Sequence, residues 1–178
     1  MRLVEGVATV DDVGDFVGRI GDIADESGTT VQVFDARYVV SRRHLERAVE
    51  LADRAIVRGE NVARDRAVEI LCYAAGRRQI DRALTLGVDE GETPVVALVD
   101  AGGGGTEGNG DSNGDGEGDE AAAEAALADL LGERETLGTY DESLVSEYFG
   151  IGEMELRAAD GDLEALVLER VALLDVEK

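Results

Sequence analysis

Apolar residues recur along this chain with two periods. LVEGVATV at 3–10 and TTVQVF at 29–34 are short β-branched runs and predict strands. Between them, VGDFVGRIGDIA at 13–24 sets Val13, Phe16, Val17, Ile20 and Ile23 three or four residues apart, which predicts a helix despite its glycines. Ser41 closes DARYVVS and is placed to cap a helix RRHLERAVELADRAI, in which Leu45, Ala48, Val49, Ala52 and Ile56 form one stripe. Arg42, Arg43, Glu46, Arg47 and Glu50 fall largely off it, as solvated charges do. RGEN at 58–61 breaks the pattern, and Val68, Leu71, Cys72 and Ala75 mark the next helix. Gly76 is placed to end that helix in a left-handed conformation, and QIDRALTLG continues with Ile80, Ala83 and Leu84 as a short third helix until Gly87.

TPVVALVDA at 93–101 is the clearest strand, its Pro94 tolerable near the start. Residues 102–120 hold nine glycines and six acids, leaving almost nothing to bury, and are expected to be a disordered insertion. EAAAEAALADLL then predicts a helix with a Leu127, Leu130, Leu131 face, LVSEYFGI at 144–151 a short one, and LEALVLERVALLDV at 163–176 a last element too apolar to be a free tail. The expected architecture over 1–178 is a single α/β domain, a small mixed or antiparallel sheet packed against several helices.

Charge changes this picture in one place. The formal net charge is -23, with Lys+Arg 17 against Asp+Glu 40, which argues against the basic surface usual for nucleic-acid and membrane-surface proteins. Sixteen of the seventeen cations are arginine, and an acid excess spread this widely reads as adaptation to a salt-rich cytoplasm, where ionic strength screens self-repulsion. Yet residues 37–82 hold eleven arginines against seven acids. Positive charge gathers in the helical middle.

The lone Cys72 excludes an intramolecular disulfide or a cysteine-based metal cluster, and its apolar neighbours mark it as a small buried residue. With no apolar signal run and no stretch near 18 apolar residues, the expectation is a soluble, cytoplasmic protein without a membrane partner.

Arg77 and Arg78, beside Gln79 and just after Gly76, bring forked donors that suit phosphate oxygens and can stack beneath a base, at a corner whose helix-start amides offer a further anion contact. The alternative is that they pair with acids such as Asp81 and Glu69. His44, the only histidine, has no histidine partner for a metal and reads as a surface or half-buried structural residue, its ring kept neutral by the helix start. Asp111, Asn113, Asp115 and Gly116 imitate a calcium loop, but residue 122 is alanine where the bidentate acid belongs. Asp11 with Asp12, or Asp160 with Asp162, make no acid/base couple without a pocket. No enzyme activity, metal or cofactor is expected.

DARYVVSRRHLERAV, EILCYAAGRRQIDRALTLGV and LEALVLERVALLDV together resemble the small kinase-binding subunit of the KEOPS complex, in its archaeal form, whose eukaryotic relatives are called PRPK-binding proteins; the acidity adds the expectation of a halophilic type. The similarity covers residues 1–100 and 132–178. Its most specific part is Glu69, Ile70, Leu71, then Ala75, Gly76, Arg78, Gln79 and Ile80, with Ala75 standing where many relatives have serine.

The resemblance implies a non-catalytic subunit beside a kinase-like ATPase, in a complex that forms N6-threonylcarbamoyladenosine at tRNA position 37, with other subunits met indirectly. It further implies recruitment of tRNA by its 3' CCA end. On that basis Arg77 and Arg78 are expected to meet terminal phosphates, Gln79 and His44 to bond or stack with splayed bases, and Arg43 and Arg82 to widen the contact. Leu166, Val167, Arg170, Leu173 and Leu174 of the last helix are the expected partner face, shared with the core. The rival expectation is a protein-only adaptor that regulates the kinase-like ATPase without touching RNA.

Overall fold

The structure is a computed structural model that describes residues 1–102 and 118–176. Strand β1 (Arg2–Val10) leads through α1 (Val13–Ser27) to β2 (Thr30–Asp35), a 3-10 turn (Ala36–Tyr38), α2 (Arg42–Arg58), α3 (Arg66–Ala75) and α4 (Ile80–Ala83). A 3-10 turn (Leu84–Leu86) precedes β3 (Gly91–Asp100), and α5 (Glu120–Leu130), β4 (Gly132–Glu133), α6 (Glu142–Phe149), α7 (Glu153–Ala158) and α8 (Leu163–Val176) complete the chain. The sheet is wholly antiparallel, in the order β2-β3-β1-β4.

Strand alternation divides the core into two layers. Val31, Val33, Val95, Ala97 and Val99 face α1 and α5, while Phe34, Val96 and Leu98 face the larger cluster built by α2, α3, α6 and α8. Burial on both faces is why VVALV in β3 is an unbroken apolar run. Pro94 lies one residue beyond the last β2 pair, where its missing N–H breaks no ladder on that side. Among the described residues no helix is long and apolar enough to cross a membrane.

The helix starts follow the side-chain chemistry expected of them. Asp12, Ser41 and Asp65 accept from the first-turn amides of α1, α2 and α3, and Asp162 from Ala165 N–H. Asp12 and Asp162 are therefore capping groups. The buried face of α2 is His44, Leu45, Ala48, Leu51, Ala52 and Ala55, slightly rotated from the expected stripe because α3 and α8 both pack on it. Most of the expected insertion, residues 103–117, and with it the calcium-like positions from Asp111, lies outside the described residues. Its expected end is corrected: Asp119 caps α5 and Glu120 begins it.

An ion-pair network crosses the α2, α3 and β3 elements. Arg66 donates to Asp53 (2.7 and 2.8 Å) and to Asp100 (2.7 Å). Burial opposes the Arg66 charge, but these bonds outweigh it and hold the pKa above its ordinary value. Asp100, pushed up by burial, is brought below the usual carboxylate range by Arg66 and the Gly102 N–H.

Candidate nucleic-acid interface

The glycine corner is built by a helix stop. Gly76 has φ +61°, its N–H bonds to Tyr73 O, and Arg77 N–H reaches back to Cys72 O, both at 3.0 Å. This reversal carries the chain outward, and Arg78, Gln79 and Arg82 are exposed. Arg82 makes no ion pair among the described residues.

Arg77 is held differently. Its guanidinium lies 4.9 Å from the centre of the Tyr148 ring and donates to the Tyr148 carbonyl. Tyr148 in turn donates its hydroxyl to Arg82 O at 2.8 Å, so one aromatic ring from α6 ties both sides of the corner. Burial pushes the Tyr148 hydroxyl up to about 12, leaving it a donor at any physiological pH. The ring also meets Tyr38 and Phe149 edge-on, at 5.7 and 5.1 Å. Tyr148 was not expected from the sequence; its signal is a pair of adjacent aromatics before Gly150 in a chain only 4% aromatic.

The expected pairing of these arginines with Glu69 is not what forms. Glu69 is buried and accepts from the Val62 and Ala63 N–H groups at 3.1 and 2.8 Å. Beside it, burial foremost and the Glu69 charge raise the Cys72 thiol to about 11.

His44 corrects the expectation. It is completely buried, so its ring reaches no solvent-side base. Nε2–H donates to Ala74 O at 2.7 Å, and Nδ1 accepts from Val40 N–H at 3.4 Å. A carbonyl can only accept, which assigns the neutral Nε2–H tautomer. Burial, rather than the helix start, holds the imidazole pKa down at about 4. His44 positions the corner by fastening α2 to the end of α3.

The helix-start amides expected as an anion contact are also corrected: α4 is a single turn of four residues, too short to sum a useful dipole. The hollow at the corner, lined by Glu60, Glu69, Arg77, Arg78 and Leu174 among others, holds about 10 Å³, room for one water and none for a base. The corner is otherwise an open surface. Arg43 remains accessible, its side chain 74% exposed and only 3.6 Å from Glu164 in a loose surface pair.

The expected partner face on α8 mostly belongs to the core. Leu166, Val167 and Leu174 are buried, and Arg170 is engaged with Phe149 O, Gly150 O and Glu155, tying down the end of α6. Only Leu173 (37% exposed) remains of the five. Val176 and, at the end of α2, Val57 are exposed at 77% and 84%, and the Arg54–Asp175 pair at 3.7 Å brings the two helix ends together. This is the apolar surface that α8 offers.

Among the described residues no group of three His, Cys, Asp or Glu side chains is placed to hold a metal. Arginine and aromatic side chains thus meet at one corner of an α/β scaffold. Residues 15–175 match the family described as kinase binding protein CGI-121, and the chain belongs to that family. No curated protein matches it.

Proposed function

We propose that this chain is a non-catalytic, cytoplasmic subunit that docks on a kinase-like ATPase of a KEOPS-type complex and recruits tRNA by its 3' CCA end for N6-threonylcarbamoyladenosine formation. The kinase contact is supported by family membership and by the exposed Leu173, Val176 and Val57. The tRNA contact is supported by one observation: Arg78, Gln79 and Arg82 stand exposed on a corner that Tyr148 stiffens, in a chain of net charge -23. Surrounding carboxylates repel phosphates, so the corner and Arg43 set where the strand end lies.

Replacing Arg78→Glu together with Arg82→Glu is expected to weaken binding of CCA-ended tRNA at least ~10-fold while sparing the kinase-like partner. Removing the CCA tail from the tRNA is expected to cost as much. Equal affinity for intact and clipped tRNA, read by filter binding, rejects end recognition. The burial of His44 removes one expected base contact and favours the protein-only adaptor as the second reading.

A further inference from the structure

A groove of about 460 Å³ runs along the free edge of β2, far larger than the hollow at the corner. One wall is α1, with Phe16, Val17 and Ile20; the other is α3, with Val68 and Leu71, and the 3-10 turn after α4, with Leu84. Val17 and Leu84, each more than half exposed, both line it, one on each wall. β2 is the end strand of the sheet, and among the described residues no strand pairs with its outer side. Alternate residues of this six-residue strand turn backbone donors and acceptors outward over about 20 Å, and Val33 O of the strand already accepts from Gln32 Nε2 at 3.0 Å.

We propose that this groove receives an extended protein segment by strand addition, with alternate apolar side chains between Val17 and Leu84 and lysine or arginine at its ends. Backbone bonding to β2 and side-chain entry into the walls are the two halves of that recognition mode.

Charge selects the occupant. Of the charged groups lining the groove, Arg66 is already engaged by Asp53 and Asp100, which leaves Asp25 and Asp65 to set the sign. Asp25 on α1 and Asp65 at the start of α3 thus put an anionic rim on both walls of the groove. A second copy of the chain would set like charge against like. Residues 103–117 contain only Gly, Thr, Glu, Asn, Asp and Ser, so they carry no apolar side chain to insert. RNA phosphates are repelled by the same rim. This inference does not depend on the tRNA reading.

The test titrates the full 15N-labelled chain with a synthetic nonapeptide of alternating valine and threonine flanked by two lysines at each end. Saturable amide shifts across Thr30–Asp35 are expected, lost when alternate peptide nitrogens are methylated. Val17→Lys with Leu84→Lys, both surface positions, is expected to weaken binding at least ~10-fold. The proposal is overturned by absent shifts in β2, by equal binding of the methylated peptide, or by a CCA-ended oligonucleotide shifting those amides in place of the peptide.

Discussion

His44 makes a local contact into a pH response. With its folded pKa near 4 and an ordinary value of 6.5, the unfolded chain takes up a proton that the folded chain refuses. The stabilising contribution is therefore complete above about pH 6.5 and is lost as pH falls towards 4. Between pH 7 and pH 5 the loss is about 2 kcal/mol. His44→Gln keeps a side-chain N–H for Ala74 O but cannot titrate, so its unfolding free energy from urea melts should fall less over that interval than the parent's by that amount. An unchanged pH dependence would show that His44 is not the group responsible. The sequence made the residue visible as the only histidine and predicted a neutral ring; it did not reveal the burial, because that depends on α3 and α6 closing over the start of α2. Tyr148 was hidden for a similar reason, since its partners Arg77 and Arg82 lie 71 and 66 residues away.

At the level of elements, helix ends were more legible than helix faces. Ser41, Gly76 and Gly87 mark boundaries through local chemistry, and the structure places stops or starts at each. α7 and β4 were not predicted: α7 buries no residue and β4 is a two-residue pairing with Gly6 and Val7, so neither leaves a periodic signature. α8 is apolar on several sides because α2, α3 and α6 all contact it, and most of its apolar residues are consumed inside the fold. This separates two kinds of substitution on one helix. Leu173→Glu with Val176→Glu should leave the melting temperature nearly unchanged and weaken capture of the kinase-like ATPase at least ~10-fold. Val167→Ala, in contrast, should cost about 2 kcal/mol of stability. Unaltered ATPase capture by the double variant would move the partner contact off α8.

The molecule as a whole carries a net charge of -23, and that self-repulsion opposes compaction. Raising KCl from about 0.1 to about 1 M shortens the screening length from roughly 10 to 3 Å and should raise the urea midpoint. A midpoint that falls with salt would mean that ion pairs such as Arg66 with Asp53 and Asp100 outweigh the repulsion. What the sequence determined was local: the two hydrophobic periods, the capped helix starts, the glycine stop and the clustering of arginines between residues 37 and 82. These depend on neighbours within a turn or two of chain. The tertiary structure alone decided which arginines face solvent, which α8 residues remain outside the core, how Tyr148 braces the corner, and that β2 is the open edge. Each of those follows from contacts between distant segments, whose packing competes for the same apolar and polar groups.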